Sequence, residues 1–213
     1  TGRTPLCSQA LIDAGIVKVI AAMQDPNPQV SGSGLAHLQA HNIETACGLM
    51  ENQARELNLG FISRMTENLP LVRSKIAASL DGKTALKNGA SQWITGEAAR
   101  ADVQLWRARS CAILTGAGTV LADNPSMNVR YDSFNNMPAN RMAIGSDIGG
   151  LQPMRIIVDS TLKTPPNAKI LLGGNVLIAF ANDAENKSAA LLAAGAELLC
   201  IPNEQGPNNP TKV

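Results

Sequence analysis

Three stretches carry residue types that can do chemistry. In TGRTPLC, residues 1–7, a cysteine follows a proline and opens an apolar-periodic run, so Cys7 stands at a helix start. The positive end of the helix dipole favours its thiolate there, which suits a metal ligand or a nucleophile. A hydrolytic zinc centre takes three protein ligands and an open position. Neither a His-x-Glu nor a second nearby cysteine accompanies Cys7, and a small residue at a helix cap has the same pattern. In SKIAASLDGKTA, residues 74–85, strand alternation puts Lys75, Ala77, Ser79 and Asp81 on one face and Ile76, Ala78 and Leu80 on the other. An ammonium, a small residue that admits a flat ring, a hydroxyl and a carboxylate in a row make a shallow polar site. A half-exposed strand entering a hairpin reads the same way. In CAILTGAGTVLADNP, residues 111–125, an apolar strand runs into glycines and a helix start. That turn directs backbone N–H groups at a phosphate, with the Thr119 hydroxyl as a further donor, and it is equally a plain strand-to-helix turn.

Trp93 in SQWIT can stack on a planar ring or fill a core, and Arg107, Arg109 and Arg130 can hold a phosphate or face solvent. His37 and His41, four residues apart, share a helix face, but HLQAH lacks the glutamate of a metalloprotease helix, so both read as surface histidines.

The elements that must position these residues alternate between helix and strand, which predicts an α/β fold with a largely parallel sheet. Helices are expected at 6–14, 35–41, 53–68, 96–109 and 187–194, the fourth with Ala99, Val103 and Trp106 facing inward. Strands are expected at 16–23, 43–46, 71–80, 111–115, 154–158, 176–180 and 198–201. Gly15 ends the first helix, Asp81-Gly82 is a tight-turn signal, and the aperiodic 132–153 is a long loop. A domain boundary is expected near Leu69–Pro70, where a new set of strands starts.

Composition excludes several classes. The 213 residues are 45% apolar and 16% charged, a globular balance with room for one large domain or two small ones. A net charge of +1 with scattered basic residues gives no electrostatic case for nucleic acid or membrane partners. Aromatic residues at 3% are too few for base-stacking platforms. No apolar run reaches the length of a membrane span and no signal-peptide pattern opens the chain. Four dispersed cysteines, Cys7, Cys47, Cys111 and Cys200, show no disulfide framework, and Cys111 and Cys200 read as reduced thiols buried in strands. A soluble cytoplasmic protein is the expectation.

The segments GRTPLC, MQDPNPQVSGSG, LNLGF, KIAASLDGKTA, SQWIT, ARADVQLWRARSCAIL, GTVLADNP and RIIVDS follow one another in this order. Together they resemble, over nearly the whole chain, the bifunctional riboflavin biosynthesis proteins. In that family a diaminohydroxyphosphoribosylaminopyrimidine deaminase is fused to a 5-amino-6-(5-phosphoribosylamino)uracil reductase. The resemblance implies an internal fragment of such a protein. Residues 1–69 would be the C-terminal part of a cytidine-deaminase-like zinc domain, and 70–213 the N-terminal part of a dihydrofolate-reductase-like, NADPH-dependent domain.

Residue by residue, Cys7 matches the last cysteine ligand of the family's zinc site, with Leu6 in place of the usual proline. The remaining zinc ligands and the general acid–base glutamate would precede Thr1. Ala77, Trp93, Thr119, Asp123 and Ser160 match NADPH-contacting positions, and Ser91, Arg107, Met127 and Arg130 match positions that hold the phosphoribosyl substrate. Lys75 and Asp81 become candidates beside the sugar carbon that receives hydride. A later glutamate and a glycine-rich cofactor segment would follow Val213.

The implied function is zinc-dependent deamination of the diaminopyrimidine ribosyl phosphate. NADPH-dependent reduction of the ribosyl side chain to ribityl then follows, by hydride transfer to C1 of the ribosylamino group. The implied cofactors are NADPH and Zn2+. The implied partners are a small phosphoribosyl pyrimidine and further copies of the chain in a homo-oligomer. Two other readings stay open: a stand-alone NADPH reductase with a vestigial deaminase half, and a non-catalytic binding module.

Overall fold

A computed structural model of the chain describes residues 7–134 and 151–202. The chain divides into two compact units, Thr1–Ile76 and Ala77–Val213.

The N-terminal unit runs α1 (Cys7–Asp13), β1 (Lys18–Ala21), α2 (Ser33–Ala40), β2 (Glu44–Cys47), α3 (Glu51–Leu57) and α4 (Leu59–Thr66). Gly15, at φ +67°, takes the left-handed conformation that closes α1, and its N–H donates to the carbonyl of Ile12 at 2.9 Å. β1 and β2 pair in parallel from Lys18↔Glu44 to Ala21↔Cys47, with a Lys18–Glu44 ion pair of 2.7 Å across the exposed start of the ladder. The expected single helix over 53–68 is two helices. Asn58 leaves helical geometry at φ −116°, ψ 17°, and its side-chain Nδ2 donates to the carbonyl of Ala54 at 2.8 Å. A carboxamide that competes for a helix carbonyl offers the backbone an alternative to continuing. His37 also departs from expectation: it is half-buried and hydrogen-bonded through Nδ1 to the buried Ser8 hydroxyl at 3.1 Å, so it ties α2 to α1. His41 is exposed, and its Nδ1 donates to the carbonyl of His37 at 2.9 Å.

The C-terminal unit runs α5 (Glu97–Ala108), β3 (Ala112–Gly116), α6 (Ala117–Asp123), a 3-10 turn at Tyr131–Phe134, β4 (Met154–Val158), a second 3-10 turn at Lys169–Leu171, β5 (Val176–Phe180), α7 (Ser188–Ala193) and β6 (Ala196–Cys200). Its four strands form one all-parallel sheet in the order β3-β4-β5-β6. The apolar runs RIIVD and NVLIAF are read correctly as strands because short continuous runs rich in β-branched residues suit a sheet covered on both faces. Ile157 and Ile178 are register partners, both fully buried, in a cluster with Val120 of α6, Leu191 of α7 and Ile170 and Leu171 of the second 3-10 turn. Arg155 is buried on β4, its Nη1 donating to the carbonyl of Leu172 at 3.0 Å and its Nη2 to that of Gly174; burial lowers its pKa.

Several expectations are corrected. Residues 71–80 join no ladder among the described residues, and all but Ala77 are exposed. Without a neighbouring strand to pair its N–H and C=O groups, an alternating sequence has no reason to hold strand geometry. Cys111 and Cys200 are exposed, as are Cys7 and Cys47, because Cys111 precedes the edge strand β3 and Cys200 ends the opposite edge strand β6. In α5 the buried residues are Gln104 and Leu105. Trp106 is exposed, donating through Nε1 to Asp102 at 3.0 Å with the Arg109 guanidinium 5.6 Å from its ring. The expected loop 132–153 lies mostly outside the described residues.

Candidate active site

Parallel strands present ligands at their carboxyl ends. The C-terminal unit gathers two groups of the residues of interest, one at that edge and one between α5 and residues 127–130, and leaves a third dispersed. The first lies where the chain leaves β3 and β4. Thr119 and Asp123 are exposed on α6, where no side chain caps the helix start. The Cβ positions of Gly116 and Gly118 open onto empty space. After β4, Asp159 is 2% exposed and its carboxylate accepts the N–H of Lys163 at 2.8 Å and both the N–H and hydroxyl of Thr164 at 2.7 Å. That turn presents Ser160, half-buried, whose carbonyl accepts the N–H groups of Ala181 at 3.1 Å and Asn182 at 3.0 Å beyond β5. It also drives Leu162 to φ +54°, a conformation that costs a non-glycine residue about 1–2 kcal/mol, offset here by complete burial of the side chain.

The second group is an arginine cluster. Arg107 reaches from α5 to residues 127–130, its Nη1 donating to the carbonyl of Asn128 at 2.8 Å and its Nη2 lying 3.8 Å from Met127 Sδ. Burial lowers the Arg107 pKa, and the positive charge of Arg130 lowers it further. Arg130 is exposed, and its backbone N–H donates to Gln104 Oε1 at 3.0 Å. Met127 holds φ +52°, a rare conformation for an unbranched bulky residue outside a turn glycine's place. Thus Arg107, Met127 and Arg130 come together.

The third group is not gathered. Ala77 and Ser91 are partly buried, Asp81 is exposed and accepts a hydrogen bond from the Ser79 hydroxyl, and Trp93 is 67% exposed with the Arg100 guanidinium 4.4 Å from its ring centroid. Lys75 is exposed and belongs to the N-terminal unit. No regular element spans 69–95 to fix these side chains in a row.

Cys7 begins α1 and is exposed, and among the described residues no three His, Cys, Asp or Glu side chains gather as a metal site requires. The residues present therefore do not fit a zinc ion. Elsewhere in the N-terminal unit an open hollow of about 420 Å³ is lined by Gln24, Asp25, Cys47 and the Glu51–Arg55 ion pair. No described helix is long and apolar enough to cross a membrane.

Sequence reasoning missed Asp159, Gln104 and Gln152. Asp159 had a local signal, since an aspartate at a strand end with Thr164 five residues on can close a side-chain-to-backbone turn. Gln104 and Gln152 had none, because each meets its partner more than twenty residues away.

Fold and site together define an α/β protein of the parallel-sheet class, with its strand-end turns and a paired arginine cluster as the candidate functional surface. Residues 70–202 match the RibD C-terminal domain family, and the chain belongs to that family. It is 50% identical over 171 residues to riboflavin biosynthesis protein RibD of Haemophilus influenzae, covering 80% of this chain and 45% of that protein. RibD of Escherichia coli is 48% identical over 170 residues, with 80% and 46% covered. Among solved structures, RibD of Acinetobacter baumannii (form 1) superposes with a TM-score of 0.79 at 41% identity, covering 96% of this chain and 53% of that one. A diaminohydroxyphosphoribosylaminopyrimidine deaminase/5-amino-6-(5-phosphoribosylamino)uracil reductase from Thermotoga maritima gives 0.70 at 29% identity, with 93% and 58% covered. The chain thus spans about half the length of the relatives it matches.

Proposed function

We propose that the C-terminal unit is the phosphoribosyl-binding and NADPH-binding part of a reductase in riboflavin biosynthesis, acting on 5-amino-6-(5-phosphoribosylamino)uracil. The observation that carries this reading is the Arg107–Arg130 pair. Arg107 is partly desolvated and opposed by a second cation, an arrangement that a phosphate dianion relieves with charge-assisted hydrogen bonds. Arg107 and Arg130 hold the phosphate, Met127 packs against the sugar side, and Ser91 adds a hydroxyl.

For NADPH the chemistry of the donors is suitable: Thr119 and Ser160 carry hydroxyls at the strand-end edge and Trp93 offers an exposed aromatic face, while Ala77 is assigned to the cofactor by the resemblance. Asp123 completes the contacts that the resemblance assigns. NADPH, when bound, supplies the hydride that reduces C1 of the ribosylamino group. The protein's own contribution is alignment of the sugar and its phosphate, with Lys75 and Asp81 proposed to handle the proton on the opened sugar oxygen. Cys7 by itself fits no zinc centre, so no deamination step is assigned to this chain's residues.

The test is incubation with 5-amino-6-(5-phosphoribosylamino)uracil and NADPH deuterated at nicotinamide C4. Mass spectrometry should find one deuterium in a ribityl product, lost when Arg107 and Arg130 are both changed to methionine. Binding of both ligands with no transfer would favour the non-catalytic binding module. Normal single-turnover transfer by Lys75→Met would remove Lys75 from the proton step.

A further inference from the structure

Residues 127–131 carry Met127 and Arg130, yet they belong to no strand. Side chains hold their backbone instead. Gln152 pairs with Val129 twice: Oε1 accepts the Val129 N–H at 2.7 Å, and Nε2 donates to the Val129 carbonyl at 3.1 Å. Gln104 Oε1 accepts the Arg130 N–H at 3.0 Å, Arg107 donates to the Asn128 carbonyl, and the Tyr131 hydroxyl donates to the Leu151 carbonyl. Val129 itself is buried against Leu105 of α5.

A carboxamide presents one acceptor and one donor in a plane, the same pair that a neighbouring strand residue offers. Gln152 therefore serves Val129 as a one-residue strand, and Gln104 fixes the next N–H. With Val129 turned inward, its neighbour Arg130 is turned out, and it is held near Arg107 although the two cations repel. Without the two glutamines the arm loses three of the hydrogen bonds that hold it against that repulsion, and it can relax and separate the guanidinium groups.

We propose that Gln152 and Gln104 are positioning residues that hold the 127–131 arm in the geometry for binding a sugar phosphate. The proposal rests on the assignment of Arg107 and Arg130 to the substrate phosphate. Neither glutamine touches the phosphate; both act through the arm.

Ribose 5-phosphate is the probe, titrated calorimetrically into the chain and into Gln152→Met, Gln104→Met, Arg130→Ala and the Gln152→Met/Arg130→Ala pair. Two lost backbone hydrogen bonds correspond to about a tenfold weaker affinity for Gln152→Met, and Gln104→Met should lose about half as much on a logarithmic scale. Because Gln152 acts through Arg130, the double variant should bind no more weakly than Arg130→Ala alone. NADPH affinity should be unchanged in both glutamine variants, whereas general loosening of the unit would weaken both ligands. Unchanged ribose 5-phosphate affinity in Gln152→Met, an equal loss of NADPH affinity, or full additivity with Arg130→Ala would overturn the positioning role while leaving the phosphate assignment intact. Failure of the unaltered chain to bind ribose 5-phosphate would overturn the phosphate assignment, and the positioning role with it.

Discussion

Replacement of Asp159 tests how the strand-end edge is built. The carboxylate accepts three hydrogen bonds, two of them from Thr164, in a turn where both residues are only 2% exposed. In Asp159→Ala the Lys163 N–H can turn to water, but the Thr164 N–H and hydroxyl lose their partner in a place water does not reach. Each such orphaned donor costs about 1–3 kcal/mol, so the variant should lose about 3–4 kcal/mol of stability. For a domain of this size that lowers Tm by roughly 10 °C.

Asp159→Asn is the informative control. An amide keeps one accepting oxygen, which can stay on Thr164, while its NH2 faces the more exposed Lys163 N–H. The loss should then be about 1–2 kcal/mol. Thermal and urea unfolding measure both variants, and NADPH titration well below Tm should show weaker binding for Asp159→Ala, because Ser160 sits on the turn that loosens. Equal stability of Asp159→Ala and the unaltered chain, or Asp159→Asn as damaging as Asp159→Ala, would refute this account of the edge.

Two further outcomes follow from the same structure. Ile157→Ala removes a fully buried side chain between α6, α7 and the second 3-10 turn, and urea unfolding should show a loss of about 3–4 kcal/mol. The Asp183 pKa is lowered chiefly by a hydrogen bond from the Ser188 side chain; desolvation, next in size, opposes it, and the Lys187 and Ser188 N–H groups and the Lys187 charge lower it further. A carboxylate with a depressed folded-state pKa stabilises above its unfolded pKa and stops doing so as pH falls through the folded value. The stability gap between the chain and Asp183→Asn should therefore be widest near neutrality and close progressively below about pH 4, as acid titration monitored by circular dichroism can show.

What the residues revealed in advance divides along physical lines. The strands 154–158 and 176–180 were legible because β-branched runs between turn residues have one stable way to be buried in a parallel sheet. The arginine cluster was legible as residue types, and its assembly depended on α5 and the 127–130 arm approaching each other. Lys75 to Asp81 misled because alternation records which face a strand would bury, and it says nothing of whether a partner strand exists. Asn58 misled because helical periodicity continued through a residue whose side chain competes for the backbone. Gln104 and Gln152 were invisible, since a carboxamide matters only once folding brings an unpaired backbone group within its reach.

The proposed NADPH site combines the strand-end turns of the C-terminal unit with Trp93. Only Trp93 and Trp106 are tryptophans, so a Trp106→Phe chain reports from Trp93 alone. Titration of that variant with NADPH should give saturable quenching of Trp93 emission, accompanied by energy transfer to the nicotinamide. Quenching that rises linearly with added NADPH, without saturation or transfer, would contradict the account.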